Sequence, residues 1–130
     1  MKLLLDACTF LWVLGGTADV PGRVAEAFRT PDNEVYLSAA SVWEIVIKHA
    51  SGRLVLPRPP DQLIPAERDA RAILPLPIDE ESALHVSRLP DLHRDPFDRM
   101  LICQAIHSGL SILTTDDAIK TYPVPIESIT

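Results

Sequence analysis

The feature that most limits the fold is an alternation of two patterns. Short apolar runs, too brief for helices, are separated by stretches with a helical period. "KLLLDA" opens the chain, "NEVYLS" follows at 33–38, "ILPLPID" at 73–79 and "SILTT" at 111–115. Each has the length of a strand. Between them, sets such as Val20, Val24, Ala27 and Phe28 recur at helical spacing. Strands alternating with helices predict an α/β three-layer sandwich, with a mostly parallel central sheet and helices on both faces. In such sheets ligands bind beyond the carboxyl ends of the strands. Asp6 ends the first run and Asp116 directly follows the "SILTT" run, so the rule puts two carboxylates on one sheet edge.

The remaining elements follow from caps and breakers. "TFLWVLGG" reads as a helix that Thr9 caps and Gly15–Gly16 stop. "AASVWEIVIKHASGRL" reads as a helix capped by Ser38 or Ser41 and ended by Gly52. From Pro57 to Pro77 prolines dominate: "LPRPP" is a loop, "DQLIPAERDARA" a poor or broken helix, and "ILPLPID" a weakened strand. "DEESALHVSRL" is a helix with acids in its first turn. "DPFDRMLICQAIHSG" is a helix closed by Gly109, "DDAIKTYP" a short one, and "VPIESI" an edge strand at best. No linker divides the 130 residues, so one domain over 1–130 is expected.

Composition narrows the function classes. A 47% hydrophobic and 23% charged chain fits a soluble globular protein. No apolar run approaches the ~20 residues of a membrane span. "MKLLLDACTF" resembles a signal-peptide opening, but Asp6 interrupts it and no clean cleavage site follows, so a cytoplasmic protein is expected. Cys8 and Cys103 lack metal-ligand spacing and read as small buried hydrophobes. The formal net charge of -6 argues against non-specific affinity for nucleic acid. The exception is a site where carboxylates converge on a metal, whose charge reverses the local sign.

The acids therefore carry the argument. In "HRDPFDRML", Asp95, Pro96 and Asp98 make a good helix start, close to a capping box. Asp98, however, leads a helix that is apolar nearly all round. Glu44 is the only acid in another apolar helix, where an ion pair with Lys48 is the plain explanation. Asp6, Asp116 and Asp117 can each cap a helix. A single metal site accounts for Asp6, Glu44, Asp98 and Asp116 together, and an oxygen-only set suits Mg²⁺ or Mn²⁺. The four histidines are scattered, and surface or core roles suffice for them.

Four segments carry a family likeness: "LLLDACTFLW", "LSAASVWEIVIKHASGRLVLP", "LPDLHRDPFDRMLICQAIHSGLSILTTD" and "AIKTY". With their order they span nearly the whole chain, which resembles the PIN-domain ribonucleases and, within them, the VapC-type toxins of toxin–antitoxin pairs. The resemblance implies a PIN-like sandwich and a Mg²⁺-dependent endoribonuclease. By position, Asp6, Glu44, Asp98 and Asp116 correspond to the four catalytic, metal-holding acids. Asp95 corresponds to an extra acid of the "RDPFDR" branch, with Asp117 also in support. Ser38 and Thr114 match hydroxyls that hold the site's carboxylates. The family usually has threonine after the first aspartate; here Ala7 stands there, and Thr9 is the nearest substitute. Arg94, Arg99 and Lys48 are candidates for guiding an RNA backbone, with plain surface solvation as the alternative. The resemblance also implies a homodimer and a cognate antitoxin, which the Phe10, Leu11 and Trp12 surface could contact if it is not core.

Rival classes fare worse. A haloacid-dehalogenase-type phosphatase needs a second aspartate two positions after the first, where Cys8 stands. A response-regulator receiver needs paired acids early in the chain. A non-catalytic RNA- or antitoxin-binding module of the same fold stays open.

Overall fold

In the computed structural model, residues 1–15 and 22–128 are described; the expected roles of Gly16 and Val20 fall outside them. β1 (Lys2–Leu5) leads into α1 (Ala7–Gly15), α2 (Gly22–Arg29), β2 (Glu34–Ser38) and α3 (Ala39–Ala50). Then come α4 (Pro60–Ala70), β3 (Leu74–Leu76), α5 (Glu80–His85) with a 3₁₀ turn at Val86–Arg88, and α6 (Pro96–Ser108). β4 (Ser111–Thr114), α7 (Asp117–Lys120) and β5 (Ile126–Ser128) complete the order. The sheet runs β3-β2-β1-β4-β5, every pairing parallel.

Side chains of β1 explain why its run is apolar without alternation. Leu3 and Leu5 face a core built with Phe10, Val24, Leu37, Ile45 and Ile64. Leu4 faces the opposite core, with Leu101, Ile102, Ile112, Ile119 and Tyr122. A central strand covered on both faces buries Leu3, Leu4 and Leu5 alike, each large side chain stabilising by about 1.5–3 kcal/mol. Leu5 is in register with both Leu37 and Leu113. The carboxyl ends of β1, β2 and β4 therefore lie flush, and the residues after them share one edge.

Three local expectations are corrected. The α1 cap is Asp6 rather than Thr9: the Thr9 N–H donates to Asp6 Oδ1 at 2.8 Å. The helix starts directly after the strand, so the strand's last acid meets its open N–H groups. The segment around Pro65 is one continuous helix. Pro65 removes a backbone bond, and burial of Leu63 and Ile64 holds the helix regardless. Cys8 is exposed, while Cys103 is buried as expected.

Other punctuation agrees with the reading above. Ser38 caps α3 through Ala40 N–H at 3.0 Å, and Asp95 caps α6. Gly109 ends α6 at φ +68°, a left-handed conformation that glycine adopts without strain. Among the described residues no helix is long and apolar enough to cross a membrane.

Candidate metal centre

The flush strand ends open onto a cavity of about 350 Å³ lined by Asp6, Glu44, Asp95, Asp98 and Asp116, with Lys48, Ala7, Cys8 and Thr115. Five carboxylates from four separate stretches of the chain thus meet one space. A second cavity of about 190 Å³, bordered by Met1, Leu3, Arg23 and Asn33, lies toward the opposite ends of the strands, with Glu26 its only acid among the described residues.

Asp6 is the most tightly held of the group. It is buried, and its Oδ1 accepts the Thr9 N–H while its Oδ2 accepts the Thr114 hydroxyl at 2.5 Å. Thr114 Oγ1 in turn accepts the Asp116 N–H at 2.9 Å. A single hydroxyl therefore couples the acid after β1 to the acid after β4. The Thr9 hydroxyl is spent elsewhere, on the Leu113 carbonyl at 3.2 Å. Thr9 braces Asp6 with its backbone N–H only, and the hydroxyl that reaches Asp6 is that of Thr114.

Asp116 Oδ1 caps α7 through Ala118 N–H at 2.8 Å. Asp95 Oδ1 accepts from Phe97 N–H at 2.9 Å and Asp98 N–H at 3.0 Å. Both acids start helices and line the cavity as well. Glu44 is buried on α3, and Lys48 Nζ lies 2.5 Å from its Oε2. That hydrogen bond holds the Lys48 ammonium above the usual lysine range. Trp43 and Phe97 meet edge to face at 5.5 Å between centroids, joining α3 to the start of α6.

Asp98 carries the electrostatic strain of the site. Burial, followed by the charges of Asp95, Asp116, Glu44 and Asp6, pushes its carboxyl up to about 8. Near neutral pH this group holds a proton because it is buried and its nearest charged neighbours are acids. His93 Nε2 stands 3.4 Å from Asp98 Oδ2. The other ring nitrogen is 2.7 Å from Tyr122 Oη, which also accepts from Arg99 at 3.0 Å. The chain Arg99–Tyr122–His93 thus ends on an acid of the cavity.

The acids fit a hard divalent cation in kind: five carboxylates share the cavity with one lysine, and among the described residues Cys8 is the single softer group on its wall. Their spacing is open. Among the described residues no three carboxylate, imidazole or thiol groups converge closely enough to hold an ion directly. Mg²⁺ keeps several of its waters and needs only one or two direct carboxylates. A cavity walled by acids on several sides suits such a hydrated ion better than a closed cage would.

Several candidates from the sequence stand elsewhere. Ser38 does not touch a carboxylate; its hydroxyl donates to Gln104 Oε1 at 2.5 Å, because it also caps α3 on the buried side. Asp117 projects into solvent beside Lys120 at 3.7 Å and does not line the cavity. Arg99 is committed to the Pro90, His93 and Val86 carbonyls, pinning the loop before α6. Arg94 is exposed outside the cavity wall, and Lys48 is the cation in it. Phe10 is fully buried and Leu11 packs against the core, leaving Trp12 as the exposed member of that trio. Sequence reasoning missed His93, Tyr122 and Cys8. The "HRDPFDR" stretch contains His93, but nothing in its spacing signals the tyrosine it meets.

A family model described as PIN domain matches residues 3–124. No curated protein matches the chain. Among solved structures, VapBC2 from Rickettsia felis bound to a DNA fragment from the promoter is similar at 12% identity. It has a TM-score of 0.74, with both chains covered in full. DNA-bound VapBC from Salmonella typhimurium is similar at 17% identity and TM-score 0.71, covering 100% of this chain and 99% of that one. A toxin–antitoxin complex from Klebsiella pneumoniae is similar at 11% identity and TM-score 0.67, covering 98% of each chain.

Proposed function

The chain belongs to the PIN domain family, and from that premise we propose that it is a Mg²⁺- or Mn²⁺-dependent endoribonuclease of the VapC type, a toxin restrained by an antitoxin. The observation that carries the reading is the cavity of acids in which Asp98 is pushed up to about 8. A structural carboxylate gathers cations or hydrogen-bond donors; this one is surrounded by further carboxylates.

Asp6, Glu44, Asp98 and Asp116 would hold the ion, with Asp95 in support. Such an ion, when bound, polarises a phosphodiester group and makes a water acidic enough to attack it. The chain's own groups set the stage. Thr114 and the Thr9 N–H fix the orientation of Asp6. His93, held by the Tyr122 hydroxyl on its other nitrogen, borders Asp98. Lys48, part-exposed at the cavity wall, offers a positive charge to an RNA backbone, and exposed Arg94 offers another nearby. No side-chain nucleophile is needed for this hydrolysis.

By likeness to the Klebsiella pneumoniae toxin–antitoxin complex, we infer a cognate antitoxin as partner; the resemblance to VapC-type toxins adds the proposal of a homodimer acting in the cytoplasm. Exposed Trp12 is the part of α1 available for such a contact.

Two observations favour a second reading. Lys48 already neutralises Glu44, and no three donors converge among the described residues. Both would suit a PIN fold that binds RNA or antitoxin without turnover. Expression of the Asp6→Asn variant in cells separates the two. Loss of growth arrest with unchanged protein level supports the nuclease, and arrest equal to wild type supports the binding module.

A further inference from the structure

Away from the acidic cavity, α5 and α6 bring two histidines together on their exposed sides. His85, the last residue of α5, and His107, in the last turn of α6, have Nδ1 and Nε2 only 2.9 Å apart. Their rings meet edge to face, with centroids 5.0 Å apart and planes at 83°. His107 Nδ1, on the far side of its ring, faces Glu81 Oε2 at 3.8 Å. The residues are twenty-two apart in sequence, so the fold rather than local spacing creates the pair.

We propose that His85 and His107 form a surface site for a borderline divalent transition metal, Zn²⁺ or Ni²⁺, held by His85 Nδ1 and His107 Nε2 and completed by water. Imidazole nitrogens select such ions over Mg²⁺. At metal–nitrogen distances of about 2.0–2.1 Å in a tetrahedral shell, two ligand nitrogens stand roughly 3.3 Å apart. The rings therefore need to part by a few tenths of an ångström and tilt toward the ion, which half-buried side chains at the surface allow. Glu81, exposed and 3.8 Å from that second nitrogen, is near enough to turn in and orient a metal-bound imidazole through it. The bare pair shares one proton, and at an exposed position that bond contributes little over water. Metal would instead staple α5 to α6. The histidine pair shares no residue with the acidic cavity, so this inference does not depend on the nuclease reading.

The test is Zn²⁺ titration of the full chain carrying Asp98→Asn, which weakens the acidic cavity, followed by calorimetry and by nitrogen NMR of the imidazoles. The expected result is one equivalent of Zn²⁺, with the shift changes at His85 Nδ1 and His107 Nε2. Binding should disappear in His85→Gln and in His107→Gln, and weaken by about tenfold in Glu81→Gln. Both histidines lie at the surface, and circular dichroism of each variant verifies that it is folded. Zn²⁺ binding that persists in both histidine variants, or ring shifts confined to His49 and His93, would overturn the proposal. So would the absence of binding in the Asp98→Asn protein.

Discussion

The hydroxyl of Thr114 donates to Asp6 across 2.5 Å, tying the end of β4 to the end of β1. The two residues are 108 positions apart in sequence, yet the parallel register of Leu5 with Leu113 makes them neighbours. The same hydroxyl accepts from Asp116 N–H, so one side chain sets the positions of two acids.

Thr114→Val keeps the shape and removes this coupling. It leaves the buried Asp6 oxygen and the Asp116 N–H without their partner, and should cost about 1–3 kcal/mol of stability. Chemical denaturation measures that loss. RNA cleavage should fall further than stability does, because Asp6 loses its fixed orientation. Thr114→Ser should restore most of both.

The protonation of Asp98 fixes a pH dependence. In the metal-free protein its carboxyl releases its proton only at about 8, against 3.8 for an unperturbed aspartate. Between those values the folded state binds more protons than the unfolded one. Stability therefore falls as pH rises through that window. Asp98→Asn removes the buried charge and should raise the metal-free melting temperature at pH 8 by roughly 5 °C, with little change at pH 4. Differential scanning fluorimetry across pH reads this directly. A melting temperature of the wild type that rises steadily from pH 4 to 8, relative to Asp98→Asn, would contradict the assignment.

Mg²⁺ or Mn²⁺ acts in the opposite direction. An ion that binds only the folded state stabilises it by mass action, about 2.7 kcal/mol at a hundred times its dissociation constant. Millimolar Mg²⁺ should raise the melting temperature of wild type at pH 8 and leave Asp98→Asn almost unmoved. No shift in either protein counts heavily against a metal in the cavity.

Arg99 and Lys48, paired in the sequence reading as RNA guides, should now separate. Arg99→Ala releases the bonds to Pro90, His93 and Val86 and should cost about 2 kcal/mol of stability. Lys48→Met removes the counter-charge of Glu44 and should strengthen Mg²⁺ binding while weakening RNA binding. Calorimetry with Mg²⁺ and fluorescence anisotropy with labelled RNA give the two affinities.

Much of the fold was legible because it is written in local pattern. The runs at β1, β2 and β4 are buried on both faces, so their apolar continuity signalled a covered parallel sheet. Asp95 with Pro96, and Gly109 at the other end, marked α6 almost to the residue. Pro65 misled, since burial of Leu63 and Ile64 outweighs a single lost backbone bond. The four acids could be listed from the sequence because each is an anomaly, a charge at a strand end or on an apolar helix. Which polar groups serve them was less legible. Ser38 and Arg99 have the right chemistry, but three-dimensional neighbours claim them first: Gln104 for one, a row of carbonyls for the other. His93 went unassigned because its partner Tyr122 lies 29 positions away. The two histidines of α5 and α6 escaped for the same reason.

The central claim, that the carboxylates around Asp98 serve metal-dependent cleavage of RNA, is tested most directly on total cellular RNA. The purified protein is incubated with Mg²⁺ or with EDTA, beside Asp98→Asn. Discrete fragments that require Mg²⁺ and vanish in Asp98→Asn are the predicted result. Fragments that survive in EDTA or in Asp98→Asn, or no cleavage by a folded wild type that binds Mg²⁺, would contradict it.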